Sequence, residues 1–269
     1  MAARRGGAPT APVFVIGTGR SGTTLLVQIL HSHRDIQSYP TEANEIWHPA
    51  AYPYERRSLD LPPILFDPAE FTRRSLEGWT PAREETIRQT FAGFVWLWGR
   101  GRRLLLKSAM VSFMIEPLLR VFPDAKFVHI FRSGPSVVSS LVLKEWGKYG
   151  DRVGEADLRL HCARYWNACL METHRADLRL GLSKRGQLFE CAYERLCTQP
   201  TVVLRELSDY LGLDPVAYGF DLSTLRSQND KVGDYAHNPD WAPALDAMQE
   251  AGILKGYVSA VGSPAVNAR

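Results

Sequence analysis

Cysteine is scarce in this sequence, and its spacing argues against two kinds of site. The 269 residues include four cysteines, at positions 162, 169, 191 and 197, and no two of them form a C-x-x-C pair. Zinc-ribbon and thioredoxin-like motifs are therefore missing, and we expect reduced thiols in a cytoplasmic protein. His31 and His33 lie only two residues apart on a predicted helix, so their side chains do not face each other, and we predict no metal site.

Long apolar runs are missing as well. No stretch approaches the roughly 20 apolar residues that cross a bilayer, so we expect no membrane span. Residues 1–10 carry Arg4 and Arg5 but no separate apolar core of a signal peptide. We therefore predict flexible tails at 1–11 and 259–269 around a single domain at 12–258.

Neither sign of charge is in strong excess. A net charge of +3 is too small to indicate nucleic acid as a partner, and 45% apolar with 23% charged residues is ordinary for a globular protein. The chain also lacks internal repeats and low-complexity segments. Most of its basic residues are arginines, which suit bidentate contacts to phosphate or sulfate.

What the sequence does contain is an alternation of short apolar segments with helical patterns. Strands are predicted at 13–16, 35–38, 103–107, 126–132 and 187–192. Helices are predicted at 23–33, 81–98, 110–121, from 134 onward, 155–180 and 201–211. The alternation predicts an α/β fold, with a central parallel sheet of about five strands flanked by helices on both faces.

Two segments interrupt this pattern. Residues 50–80 are rich in proline and aromatic side chains, and we interpret them either as an insertion that walls an acceptor pocket or as a peripheral cap on the core. Residues 146–154 contain several glycines and are a candidate lid loop.

The loop after the first strand has the composition of a phosphate cradle. Gly17, Gly19 and Gly22 allow tight turns and a close approach of the backbone to a ligand, and the following helix directs its positive end at an anion. The loop nearly matches the nucleotide-triphosphatase pattern G-x-x-x-x-G-K-[ST], but Thr23 replaces the lysine, and the cation is Arg20. We therefore predict a phosphate-like ligand that is not a triphosphate.

Two further strands end in cations. Lys107 ends the strand at 103–107 and Arg132 ends the strand at 126–132. In a parallel sheet both ends open onto the same edge as the glycine loop. This arrangement favours a ligand with several separate anionic groups.

At these residues the sequence resembles the sulfotransferases that use 3′-phosphoadenosine 5′-phosphosulfate (PAPS). Residues 20–25, Arg-Ser-Gly-Thr-Thr-Leu, are similar to the 5′-phosphosulfate loop of bacterial and tyrosylprotein sulfotransferases. The 3′-phosphate motif of the family is similar to residues 122–132, followed by Ser140. The family's late Tyr-Glu-x-Leu segment resembles residues 193–196, and its Leu-Gly-Leu segment resembles residues 207–213. The resemblance covers most of 12–230 and implies a three-layer, P-loop-like fold.

The resemblance also implies roles for individual residues. The 5′ end of PAPS would be bound by Arg20, Ser21, Gly22, Thr23 and Thr24. Its 3′-phosphate would be held by Arg132 and Ser140. Lys107 and Arg20 would neutralise the charge that grows on the leaving group, and Tyr193 would either abut the adenine or pack in the core.

The catalytic base departs from the pattern of the cytosolic enzymes in the family. Ala109 stands where those enzymes carry a catalytic histidine. Glu42 lies one residue beyond the spacing of the glutamate in the tyrosylprotein enzymes, and we predict it as the base, with Glu45 and His48 as alternatives. Trp47 and His48 either line the acceptor site or pack internally.

The sequence thus predicts a sulfotransferase that moves a sulfuryl group from PAPS to a hydroxyl of a small molecule or a glycan, without a metal. A nucleotide or small-molecule kinase with a degenerate phosphate loop is the alternative. A nucleotide-binding module that has lost catalysis is a third reading.

Overall fold

The computed structural model describes residues 11–47, 73, 76–77, 79–99, 101–149, 154–225, 235 and 238–257. The strands are β1 (Val13–Ile16), β2 (Ile36–Ser38), β3 (Arg103–Lys107), β4 (Lys126–Phe131) and β5 (Leu188–Ala192). The α-helices are α1 (Thr23–His31), α2 (Asn44–Trp47), α3 (Pro81–Phe94), α4 (Ile115–Val121), α5 (Gly134–Tyr149), α6 (Glu155–Leu180), α7 (Tyr193–Thr198), α8 (Pro200–Leu211) and α9 (Ala242–Leu254). The predicted tails, apart from Ala11, and most of the predicted insertion at 50–80 lie outside the described residues.

The strands form one parallel sheet in the order β2-β3-β1-β4-β5. All four residues of β1 are buried, as expected for a central strand that is covered on both faces. This sheet confirms the predicted α/β fold with about five parallel strands.

Alternate residues of the sheet pack against different helical layers. Phe14 and Ile16 join a core with residues of α3 and α4 on one face. Val13 and Val15 join a core with residues of α1 and α8 on the other face. The period of two along a strand therefore produces the three layers, and burial of each large apolar side chain stabilises them by about 1.5–3 kcal/mol.

The topology places a crevice at the carboxyl end of β1. From β1 the chain crosses to the edge strand β2, returns to β3 beside β1, and then passes to β4 on the other side of β1. The connections change direction at β1, and ligands of open α/β sheets bind at such a switch point. The loop after β1, Lys107 at the end of β3 and Arg132 after β4 all lie at this point.

Several predicted helix boundaries differ from the structure. The predicted helix at 110–121 is a 3₁₀ turn at Ala109–Phe113 followed by α4. Helix α5 continues to Tyr149, so the start of the predicted lid is helical. Gly147 costs a helix only about 1 kcal/mol relative to alanine, and that cost does not end α5. Residues 150–153 of the predicted lid lie outside the described residues.

Two general predictions can also be compared with the described part of the chain. No helix there has the combination of length and apolar character that crossing a membrane requires. The four cysteines are free thiols.

Candidate active site

The loop between β1 and α1 has a backbone that depends on glycine at two points. Gly17 has a φ of 143°, and a Cβ at this position would lie 2.1 Å from the carbonyl oxygen of Ile130. Gly22 has a φ of 99°, and a Cβ here would lie 2.6 Å from the ring of Tyr193. Gly22 is also the N-cap of α1 and makes no side-chain capping bond, so the helix offers its first N–H groups to a ligand.

The side chain of Ser21 bonds to backbone groups of the protein. Its hydroxyl donates to the carbonyl oxygens of Thr18, at 2.6 Å, and Ile130, at 3.2 Å, and its backbone N–H donates to Thr18 as well. The side chain is fully buried. Ser21 therefore joins the loop to β4, and its assignment to the 5′ end of the ligand stays a prediction.

Arg20, Arg132 and Ser140 lie together. Arg20 Nε donates to Ser140 Oγ over 2.9 Å, and Arg132 Nη1 donates to the carbonyl oxygen of Arg20 over 3.5 Å. Arg20 has a φ of 70°, a strained value for a residue with a side chain. The resemblance assigned Arg20 to the 5′ end of the ligand, whereas in the structure its guanidinium joins the pair assigned to the 3′-phosphate.

Tyr193 forms the floor beneath this cluster. The guanidinium carbon of Arg132 lies 4.5 Å from the centre of the Tyr193 ring, within the range of a cation–π contact. Burial raises the pKa of Tyr193 to about 12, so its hydroxyl is neutral at ordinary pH. The residue is buried in the core and also lines the cavity, and its contact with the adenine stays a prediction.

Glu42 and Lys107 form an ion pair at the carboxyl end of β3. Lys107 Nζ lies 2.6 Å from Glu42 Oε1 and 3.3 Å from Thr24 Oγ1. Both side chains are partly exposed, at 22% for Lys107 and 38% for Glu42. The predicted base, the predicted cation and the first turn of α1 are therefore connected directly.

A cavity of about 490 Å³ opens above α1. Its lining combines guanidinium, hydroxyl and aromatic groups from the loop after β1, α1, the end of β4, α5 and α7 with two residues of a later segment. The lining residues are Arg20, Gly22, Thr23, Thr24, Leu25, Arg132, Ser140, Tyr193, Thr224 and Leu225. The hydroxyl of Thr18, a residue of the same loop, is buried without a hydrogen-bond partner in the described part of the chain. Two cations and several hydroxyl donors around one cavity suit a ligand with more than one phosphate or sulfate group.

Some residues named from the sequence do not reach this cavity. Trp47 is 1% exposed and stacks on Phe91 with ring centres 4.8 Å apart, so it packs internally. His48 and the side chain of Glu45 lie outside what the structure describes. Across the described residues, no group of three or more potential ligands could hold a metal ion.

Three residues near the cavity were missed from the sequence. Trp166 on α6 donates its indole N–H to the carbonyl oxygen of Arg132 over 3.1 Å. Thr224 and Leu225 line the cavity from a 3₁₀ turn and its end. None of them belongs to a short motif, and only the packing of distant segments brings them here.

Comparison with known proteins gives a consistent result. The chain matches the family model described as "Sulfotransferase family" over residues 12–217. It is 28% identical over 216 residues to an uncharacterised protein of Aquifex aeolicus, covering 78% of this chain and 26% of that protein. It is 24% identical over 259 residues to the omega-hydroxy-beta-dihydromenaquinone-9 sulfotransferase of Mycobacterium bovis, covering 75% of this chain and 63% of that enzyme. The chain thus spans less than two thirds of either curated relative.

Solved structures show the same fold. The sulfotransferase domain of the olefin synthase of Synechococcus PCC 7002 superposes with a TM-score of 0.56 at 22% identity, covering 92% of this chain and 95% of that domain. At this identity the likeness concerns the architecture alone.

Proposed function

Because the chain belongs to the sulfotransferase family, we propose that it transfers a sulfuryl group from PAPS to a hydroxyl group of a small molecule or a glycan. The second product is 3′-phosphoadenosine 5′-phosphate (PAP). Sulfuryl transfer is the chemistry that gives the family its name. The donor and the acceptor are our proposals.

One observation carries the proposal more than any other: the convergence of groups at the carboxyl ends of β3, β1 and β4. Lys107, the loop at 17–22 and Arg132 come from three adjacent strands and surround one crevice. Arg20 and Arg132 line the cavity, and Lys107 is bonded to Thr24, which lines it as well. Cations on more than one strand end suit a donor with one anionic group at each end of a nucleoside.

We assign the 3′-phosphate of PAPS to Arg132, Ser140 and Arg20. The Arg20–Ser140 contact orients the Arg20 guanidinium, and the ring of Tyr193 supports Arg132 from below. Guanidinium groups hold phosphate through paired N–H donors. ATP has no 3′-phosphate, so this group of residues would distinguish the two nucleotides.

We assign the 5′ end to Thr23, Thr24 and the backbone N–H groups that begin α1. PAPS supplies the activated sulfuryl group when it is bound. The N–H groups and the helix dipole stabilise the negative charge that develops on the 5′-phosphate as the sulfuryl group departs. Lys107 contacts Thr24 and carries its positive charge to the same end of the cavity.

Glu42 is the group that we propose as proton acceptor. Its Oε1 accepts from Lys107, and we assign Oε2 to the hydroxyl of the acceptor. A new bond forms from the acceptor oxygen to sulfur, the bond from sulfur to the bridging oxygen breaks, and that electron pair stays on PAP. The hydroxyl proton passes to Glu42, a contribution of about 10²–10⁴-fold in rate for a positioned base.

A hydroxyl acceptor is supported by one relative. The Mycobacterium bovis enzyme is named for an omega-hydroxy acceptor. We further propose that residues 12–258 form one domain. Free cysteines throughout the chain are consistent with a cytoplasmic location, which we also propose.

The direct test is transfer of labelled sulfate from PAPS to a panel of phenols, sugars and hydroxylated lipids. We expect one class of acceptor to become labelled by the wild-type protein, with PAP formed in equal amount. Transfer at the same rate by Glu42→Gln would show that Glu42 is not the proton acceptor. Absence of transfer to every class, together with phosphate transfer from ATP, would favour the kinase alternative.

A further inference from the structure

The end of helix α9 brings two polar side chains to the carboxyl end of β5. Helix α9 packs along α6, with Met248 against Gly134 at the start of α5. Just beyond the helix, Lys255 bonds to Glu190 and Tyr257 bonds to Glu194. The two carboxylates thereby connect the end of the described chain to the strand next to the cavity.

Glu194 is shared between two distant segments. Its Oε1 accepts the backbone N–H of Ser133 over 3.0 Å, and its Oε2 accepts the hydroxyl of Tyr257 over 2.8 Å. Each carboxylate oxygen thus has a donor from a different part of the chain. Glu194 also follows Tyr193 directly at the start of α7. The same helical turn therefore supports the Tyr193 ring and, through it, the Arg132 guanidinium.

The N–H of Ser133 belongs to the same peptide unit as the carbonyl group of Arg132. That carbonyl oxygen accepts the indole N–H of Trp166 over 3.1 Å. Both polar groups of one planar peptide unit are therefore held by side chains, and the plane of the unit is set by them. This constraint acts directly at the residue that presents the guanidinium to the cavity.

The hydrogen bond between Tyr257 and Glu194 also controls where the Glu194 carboxylate points. A carboxylate so close to a phosphate site would repel the ligand if it turned toward the cavity. Burial, and then the adjacent Glu194 carboxylate, raise the pKa of Tyr257, so its hydroxyl keeps its proton and remains a donor. The two donors hold the carboxylate on the peptide and away from the ligand.

We propose that Tyr257 and Glu194 are positioning residues that hold Arg132 for the 3′-phosphate and so set the preference for PAP over adenosine 5′-monophosphate (AMP). This inference rests on the proposed function, because it assigns the 3′-phosphate to Arg132. The two nucleotides differ only in that phosphate. A residue that merely stabilises the fold would change the binding of both in the same proportion.

The test is calorimetric titration of PAP and AMP into the wild-type protein, Tyr257→Phe and Glu194→Gln. Tyr257→Phe removes one hydroxyl and keeps the ring, so we expect the Kd for PAP to rise about fivefold to tenfold while the Kd for AMP stays within twofold. In an Arg132→Ala background, Tyr257→Phe should have no further effect on PAP. Tyr210→Phe is the matched control, because the Tyr210 hydroxyl also makes a partly buried hydrogen bond, 3.1 Å to the carbonyl oxygen of Phe127, and Tyr210 does not line the cavity.

The outcomes separate the two proposals. A selective loss of PAP affinity in both Tyr257→Phe and Glu194→Gln, without one in Tyr210→Phe, supports the positioning role. Equal changes for PAP and AMP, or none, overturn it and leave the proposed function intact. A wild-type protein that binds AMP as tightly as PAP overturns the proposed function and this inference with it.

Discussion

The ammonium group of Lys107 lies 2.6 Å from Glu42 Oε1, although the two residues are separated by 65 positions in sequence. Glu42 follows β2, and Lys107 ends β3, the strand that pairs with β2. The ion pair therefore results from parallel pairing of the two strands, which brings both carboxyl ends to the same edge. It joins the proposed base directly to the proposed leaving-group cation.

Loss of this ion pair should lower turnover without preventing the nucleotide from binding. Glu42→Gln and Lys107→Met should each lower turnover about 10²–10³-fold, because each removes a charge that acts on the reacting groups. The double variant should lose much less than the product of the single losses, since residues that act as a unit are not additive. Steady-state transfer of labelled sulfate from PAPS measures the turnover of the two single variants and the double variant.

Glu206→Gln is a suitable control for those variants. Glu206 forms a bidentate ion pair with Arg195, at 2.6 and 2.7 Å, on an exposed surface. We expect its loss to leave turnover within twofold, because exposed pairs contribute little. Full turnover by Glu42→Gln would contradict the assignment and would transfer the role of base to Glu45 or His48.

Replacement of Gly22 by alanine should destabilise the fold more than an alanine at another glycine with a positive φ. In Gly22→Ala the new Cβ meets the ring of Tyr193 at 2.6 Å, and the φ of 99° is unfavourable for alanine. Gly186→Ala is the matched comparison, because Gly186 has a φ of 64° and open space around it. We expect Gly22→Ala to lower the free energy of unfolding by about 1–3 kcal/mol more than Gly186→Ala, measured by urea denaturation. Equal losses of unfolding free energy in the two variants would show that the close approach of Tyr193 does not exclude a side chain at position 22.

Ser140→Ala should weaken the binding of PAP selectively. The hydroxyl of Ser140 accepts from Arg20 Nε over 2.9 Å, and its removal leaves that guanidinium without this partner. We expect the Kd for PAP to rise about threefold to tenfold, the effect of one hydrogen bond to a charged group, and the Kd for AMP to change little. Ser183→Ala removes an exposed hydroxyl bonded to Asp177 and should change neither constant. Equal weakening of PAP and AMP would contradict the assignment of Ser140 to the 3′-phosphate.

Acidification should destabilise the protein through His129. Burial lowers the pKa of His129 below its ordinary value of 6.5, and the hydrogen bond that Glu190 accepts from the ring only partly opposes this effect. Below about pH 6.5 the unfolded chain therefore binds a proton that the folded chain does not, so stability falls as the pH falls, by at most about 1.4 kcal/mol per pH unit. His129→Gln should reduce this slope between about pH 6.5 and 5, measured by denaturation at several pH values. Identical slopes in both proteins would contradict the prediction, and above about pH 7.5 the two curves should run parallel.

The parts of the fold that could be predicted from sequence are those that local patterns specify. The segment Val13–Ile16 is apolar throughout because it is covered on both faces, and it was predicted as a buried strand. Helix α6 matches its predicted range, and helix α8 begins one residue earlier than predicted and ends at Gly212, which adopts the left-handed conformation. These features depend on periodicity and on capping residues, which neighbouring residues in the sequence reveal.

The direction of individual side chains could not be predicted in the same way. Ser21 belongs to a motif that suggests a phosphate donor, yet its hydroxyl is used by the carbonyl oxygens of Thr18 and Ile130. Arg20 turns toward Ser140, a residue of a distant helix. The bond between Tyr257 and Glu194 joins two segments that no motif connects. Such contacts depend on where tertiary packing places a donor, and the local sequence does not contain that information.

The most direct test of the central claim compares nucleotides on the wild-type protein and on Arg132→Ala. We predict that PAP binds the wild-type protein at least about tenfold more tightly than ATP, since ATP lacks the phosphate that we assign to Arg132. Arg132→Ala should remove most of that difference while the variant remains folded. If ATP binds the wild-type protein as tightly as PAP, and Arg132→Ala changes neither constant, the cavity is not a PAPS site and the proposed sulfuryl transfer from PAPS is contradicted.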